Sequence, residues 1–304
     1  VDLLIVQDNA GYIGHTLPFF GAASPLLEPL SHGPPGADLH VGVVYSDLGT
    51  GEFDGWPAAC NPGWGYDGRL QPPTERASCA PGADRFAVVR RPEDVAGAAT
   101  HVTCAMGAGD RCITQSFEAM LRALTPQSSD IDFRGVPGGH GDGVNAGFLR
   151  DDAVLAVLFI GGNRECSVAD HRHLVLGAPF CDDGFVCCEE RLLPVDRYVR
   201  GLASLGRRRV VVSAITGVPW DVRPEPADRD AIDAVLARPE MQVSGQHLCA
   251  RSEVRSSPRH AHLVRACPGL LRSMCDPRLR DLGGADEIMG EIGRAIARAA
   301  CHPE

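Results

Sequence analysis

The chain has 304 residues, 44% of them hydrophobic, enough apolar material to bury a full core, which excludes global disorder. Its net charge of −10 offers no sequence-independent attraction to phosphates and excludes nucleic acid as a partner. All 29 basic residues are arginine, a pattern read here as coding bias with no function attached.

The first predicted element is the apolar run Val1 to Val6, which ends at Asp8 and a small-residue loop, Asn9-Ala10-Gly11-Tyr12. A buried parallel strand delivers an acidic group to the carboxyl edge of a sheet in this way. His40 to Tyr45 reads as a second core strand, followed by Asp47. Gln115 to Leu124 is predicted helical, with Phe117, Met120, Leu121 and Leu124 at helical spacing. Ala153 to Ile160 and Arg209 to Ile215 are two more core strands, and the helix between them, Val195 to Leu205, carries Tyr198, Val199, Leu202 and Leu205 on one face. The closing helix, Ala285 to Ala300, sets Ile288, Ile292, Ala295, Ile296 and Ala299 together. Strands alternating with helices predict an α/β fold with a doubly wound, mostly parallel central sheet and helices on both faces. Ligands of such sheets bind at the carboxyl edge. The expected organisation is a single domain over 1–304, with long loop insertions at about 49–85 and 125–147 and a strand-helix extension after about 220. The longest apolar run, Ala153 to Ile160, is far too short for a transmembrane segment.

Twelve cysteines stand at Cys60, Cys79, Cys104, Cys112, Cys166, Cys181, Cys187, Cys188, Cys249, Cys267, Cys275 and Cys301. Their even number and the lack of any Cys-x-x-Cys favour disulfides in loops over zinc or thioredoxin-like chemistry. Short loop closures make Cys104 with Cys112 and Cys60 with Cys79 the expected local pairs. His171, His173, Cys181, Cys187 and Cys188 form the densest soft-ligand cluster, read as a disulfide loop in preference to a zinc site. Disulfide use implies an exported protein: secreted, periplasmic or attached to the outer surface. Because Val1 begins directly inside a strand, the expectation is that an export signal, with a possible lipid anchor, preceded it and was removed.

Other constellations are weaker. Gly138-Gly139-His140-Gly141-Asp142 reads as a flexible loop, because a calcium β-roll would need tandem copies. No Gly-Lys-Ser/Thr follows a glycine run and no Gly-x-Ser-x-Gly occurs. Trp56, Trp64 and Tyr66 lie on a loop rich in glycine and proline. They read either as a satellite cluster covering the sheet edge or as rigid interface anchors.

The order of these pieces resembles a von Willebrand factor type A (VWA) domain of the exported, cysteine-rich bacterial kind, over most of residues 1–220. The resemblance rests on the first strand with Asp8, the second with Asp47, Phe117-Glu118-Ala119-Met120, Asn145 to Ala153 before a core strand, and Arg197-Tyr198-Val199 before the next. In metal-binding members, an Asp-x-Ser-x-Ser loop, a threonine and a second aspartate hold a divalent cation. Here Ala10 and Tyr12 replace the serines, the threonine position falls at about Ala108, and the second aspartate falls at Gly161 or Gly162. The resemblance therefore implies a degenerate metal-ion-dependent adhesion site with no metal and no cofactor. Asp8 is then expected to accept backbone N–H groups of the loop that follows it. The implied function is a non-catalytic binding or adhesion module for a protein or an envelope or extracellular glycan. Candidate contact residues are Asp8, Asn9, Tyr12, Asp47, Trp56, Trp64, Tyr66, Asp110 and Asn163. The alternatives are a hydrolase using Asp8 or Asp47 with a loop histidine, and a purely structural envelope protein.

Overall fold

A computed structural model describes residues 1–8, 21, 23–32, 38–49, 63–75, 79–107, 114–170, 189–206, 209–221, 223–242, 247–249, 254–267 and 269–301. Its strands, in chain order, are β1 (Asp2–Gln7), β2 (Leu39–Tyr45), β3 (Phe86–Val89), the small hairpin β4 (Asp132–Phe133) and β5 (Val136–Pro137), then β6 (Leu155–Ile160), β7 (Val210–Thr216) and β8 (Leu271–Ser273). The helices are α1 (Ala23–Ser31), α2 (Val95–Ala105), α3 (Ser116–Leu124), α4 (Val195–Ser204), α5 (Arg229–Leu236), α6 (Pro239–Gln242), α7 (Pro258–Ala266) and α8 (Leu282–Cys301). Among the described residues the main sheet has six strands in the order β3-β2-β1-β6-β7-β8. Every pairing in it is parallel except that of β2 with β3.

The apolar runs of β1, β2, β6 and β7 continue without polar alternation because both faces of the sheet are covered. Leu3 and Ile5 of β1 point into one core, with Leu26, Leu27 and Leu30 of α1, Val102 of α2, and Ile288, Ile292 and Ile296 of α8. Leu4 and Val6 point into the other, with Phe117, Met120, Leu121 and Leu124 of α3, Tyr198 and Leu202 of α4, Ile232 and Val235 of α5, and Leu263 of α7. Leu3, Leu4 and Ile5 are fully buried, and each such side chain contributes about 1.5–3 kcal/mol. The three predicted helices and the core strands fall where periodicity placed them. The chain beyond 220 is integral to the sheet, with β8 paired to β7 and α8 packed on α1.

Two expectations are corrected. Cys104 lies in helix α2 and is bonded to Cys79, with Cα atoms 5.6 Å apart. Neither the pairing of Cys104 with Cys112 nor that of Cys60 with Cys79 therefore forms. The helix turns the Cys104 side chain back toward the preceding segment, which loop-length reasoning could not see. A second bridge joins Cys249 to Cys275 just past β8. Closures of 25 and 26 residues each contribute about 3.5 kcal/mol on the chain-entropy account. Cys166 is also disulfide-bonded, whereas Cys267 is a buried free thiol whose pKa burial pushes up to about 11.

The segment Gly138 to Gly141 is a helix cap, not a flexible loop. His140 N donates to Arg122 O at 2.8 Å and Gly141 N to Thr125 O at 2.8 Å, satisfying carbonyls at the end of α3. A Cβ on Gly139 would collide with Arg122 O, and one on Gly141 with Leu124 O, so the glycines permit the close approach. Gly141→Ala is therefore expected to cost about 1–3 kcal/mol in chemical denaturation. The exposed helical control Gly283→Ala meets only Asp281 Oδ1 at 3.5 Å and should instead be neutral or stabilising by up to about 1 kcal/mol. Equal effects at the two sites would overturn this account of the glycine segment.

Candidate functional site

Asp8 leaves β1 at the carboxyl edge of the sheet, its N–H donating to Ile160 O at 2.8 Å. Asp8 is 8% exposed, and its carboxylate is engaged from two other chain crossings. Thr114 Oγ1 donates to Oδ1 at 2.9 Å. Asn163 donates to Oδ2 twice, from its backbone N at 3.1 Å and from Nδ2 at 2.8 Å. A carboxylate removed from water needs such donors. The hub thus ties the exits of β1 and β6 to the entry of α3. Gly161 is glycine because a Cβ there would strike Asp8 Cβ, so an aspartate cannot stand at that position. The threonine that reaches Asp8 is Thr114; Ala108, where the family pattern had placed it, lies outside the described residues.

Beneath the hub, Ser116 Oγ lies 3.3 Å from His260 Nε2, and both residues are buried. The His260 ring meets Phe117 and Phe159 edge-on at 4.9 and 5.2 Å. Burial first, and then the charge of Arg259, pushes its pKa down to about 3, so the imidazole is neutral across the physiological range. The cavity bounded by Asp8, Thr114, Ser116, Asn163 and His260 is about 10 Å³, at the lower limit for one water. Glu165 lies beside it. Its Oε1 accepts from Phe117 N at 3.4 Å and Ser167 N at 3.1 Å, and its Oε2 from Arg259 Nε at 2.9 Å. Ser167 Oγ in turn accepts from Glu118 N at 3.0 Å. The first amides of α3 are thus capped from the 165–167 segment and do not point into an open cleft. Burial pushes the Glu165 pKa up, and the Arg259 charge opposes that shift.

The β2 side of the edge is built differently. Gln7 exchanges two hydrogen bonds with the Gly107 backbone, at 2.7 and 3.1 Å, and Tyr45 OH donates to Ala105 O at 2.8 Å. Asp47 Oδ1 accepts from Gly49 N at 2.6 Å and Asp47 O from Tyr66 N at 3.2 Å. The Tyr66 ring stands edge-on to Tyr45 at 4.6 Å. The guanidinium groups of Arg122 and Arg134 lie over Trp64 at 4.4 and 5.7 Å. Burial lowers the Arg134 pKa to about 10. Asp67 joins this layer through an ion pair with Arg122 and a 2.9 Å hydrogen bond with His140 Nε2. Trp64 and Tyr66 are therefore packed over the sheet edge, as the satellite reading expects, and each keeps part of its surface in solvent.

The structure brings Asp8 and Asn163 into direct contact and places Asp47, Trp64 and Tyr66 in a neighbouring layer. Asn9, Tyr12, Trp56 and Asp110 lie outside the described residues, as do Cys60, Cys112, Cys181, Cys187, Cys188, His171 and His173; the side chain of Cys301 is likewise not described. His40 Nδ1 meets Phe148 O, His140 meets Asp67 and His260 meets Ser116, so none of these three serves Asp8 or Asp47. Sequence reasoning missed Thr114, Ser116, Glu165, Arg259 and His260. The polar triplet Thr114-Gln115-Ser116 before an apolar helix was the one visible signal. Among the described residues no three His, Cys, Asp or Glu side chains are grouped to hold a metal ion, and no helix is long and apolar enough to cross a membrane. Comparison with known protein families and with characterised proteins finds no match to this chain.

The Glu165–Arg259 pair is open to a direct test. Arg259→Met leaves a buried carboxylate without its counter-charge and should cost about 3–5 kcal/mol. Thermal or denaturant unfolding of the single variant and of Arg259→Met with Glu165→Gln checks it. The double variant should recover part of the loss, and a double variant no more stable than the single one would refute the pairing argument.

Proposed function

We propose that this chain is an exported, non-catalytic binding module, VWA-like and doubly wound, whose upper edge works without a metal. The observation that carries this reading is the saturation of Asp8. Its two oxygens accept from Thr114 Oγ1, Asn163 N and Asn163 Nδ2, so N–H donors already occupy the ground a cation would need. Mg²⁺ demands several oxygen ligands in near-octahedral order and gives up its water reluctantly. Asn163 supplies nitrogen-bound hydrogens there, and any side chain at Gly161 would strike Asp8.

Two bridged cysteine pairs support an oxidising compartment, and with it secretion, the periplasm or an outer surface. The partner in this reading is a protein or an envelope or extracellular glycan. It meets the edge near Asp8, Asn163 and Asp47, with Trp64 and Tyr66 beside it. A disulfide-pinned, hydrogen-bonded edge loses little conformational entropy on binding. The neutral, sealed Ser116–His260 pair belongs to the support under that edge.

Millimolar Mg²⁺ or Mn²⁺ should leave the melting temperature unchanged, because a ligand specific for the folded state would raise it by mass action. A clear upward shift that Asp8→Ala abolishes would overturn the metal-free reading. With a partner isolated from the native envelope fraction, Tyr12→Ala and Trp64→Ala should weaken binding by about 2 kcal/mol or more if they are hot spots. Arg294→Ala on α8 should bind as wild type. The reverse pattern would put the binding face on the other side of the sheet.

A further inference from the structure

The outer edge of β3 is a self-complementary pairing surface, and we infer that two copies of this chain join there into one continuous antiparallel sheet. Among the described residues β3 is the terminal strand, with β2 on its inner side only. Which of its backbone groups face outward follows from the register. His40 N donates to Val1 O, so His40 turns its backbone toward β1 and its neighbour Val41 toward β3. Val41 lies opposite Ala87, and Leu39 opposite Val89, so Ala87 and Val89 bond inward. Phe86 and Val88 therefore present N–H and C=O to the open edge.

A twofold axis at Ala87 satisfies these groups. Phe86 of one copy then faces Val88 of the other and exchanges both hydrogen bonds with it, and the same pair repeats across the axis. This register also sets Asp84 opposite Arg90 at both ends. Registers shifted by two residues lose that charge match, setting Asp84 opposite Val88 or Pro92. Asp84 and Arg90 are exposed; the Arg90 guanidinium lies 3.8 Å from Asp38, and the Arg90 backbone N donates to Asp94 Oδ2 at 3.0 Å, so the ladder itself ends at Val88. Opposite charges and an aromatic facing a β-branched residue are both favourable cross-strand pairs. There is space for the second strand, since a groove of about 660 Å³ runs beside β3. A Cβ at Gly97 on its α2 wall would meet nothing within 4 Å. An isologous contact of this kind closes on itself as a dimer.

Sedimentation velocity and light scattering across the micromolar range should find a dimer. Val88→Pro removes an outward N–H and leaves the inward ladder to β2 intact; it should yield a monomer with an unchanged far-UV spectrum. Asp84→Arg sets like charges opposite each other at both ends and should weaken the dimer by about tenfold or more. The exchange Asp84→Arg with Arg90→Asp should restore it, which no loss of folding would do. A monomeric wild type, or a dimer indifferent to all three variants, would overturn the proposal.

Discussion

The upper edge of this molecule depends on one buried carboxylate. Asp8 ends a strand whose residues are sealed on both faces, so its charge arrives where water is scarce. An unpaired carboxylate there would shift its proton equilibrium or open the structure. Thr114 and Asn163 prevent both, and in doing so fix the loop into α3 and the exit of β6 against β1. Asn163 then passes the restraint on, its carbonyl accepting from Ser257 Oγ at 3.2 Å at the start of α7. Two crossings, 106 and 155 residues away from Asp8 in sequence, meet at its side chain.

A second buried carboxylate organises the layer below. Glu165 serves the amino end of α3, the Ser167 hydroxyl and the Arg259 guanidinium at once. Such a pair adds little net stability compared with apolar packing, but it tolerates few alternative arrangements. Its work is to fix how α3, α7 and the chain after β6 sit on the sheet. His260 is neutral because the same burial that favours the Phe117 and Phe159 contacts disfavours its charged form.

The opposite, amino edge of the sheet is held by the same logic with the signs arranged differently. Asp2 is buried and accepts from Arg150 N at 2.7 Å and Arg150 Nε at 2.8 Å. The Arg150 guanidinium also reaches Val1 O and Asp38 O, both at 2.8 Å. Asn145 joins Leu70 N, Gly68 O and Ala123 O. The sequence string Asn145 to Ala153 is thus a pair of staples, one for the start of the sheet and one for the back of α3. Long polar side chains close gaps here that short loops cannot span, and they do so in bonds whose geometry admits little slippage.

The four central strands and three of the helices were legible in the residues themselves; the edge strand β3 and the helices α1, α2, α5 and α7 were not. Uninterrupted Val, Ile and Leu runs have few stable homes other than a sheet covered on both faces, and the helical spacing of Phe117, Met120 and Leu121 or of Ile288, Ile292 and Ile296 admits one buried side. Asp8 at a strand end also announced which edge would carry polar chemistry. What the residues could not disclose were partners that only folding brings together. Thr114 was visible as a helix-entry residue but not as the donor to Asp8, and nothing near Pro258 pointed to Ser116 or Glu165. The cysteine pairing failed for a related reason, because sequence distance measures loop entropy while helix α2 decides which way Cys104 faces. Local periodicity is written residue by residue; the satisfaction of a buried charge is a property of whole crossings, and only the tertiary structure chooses them.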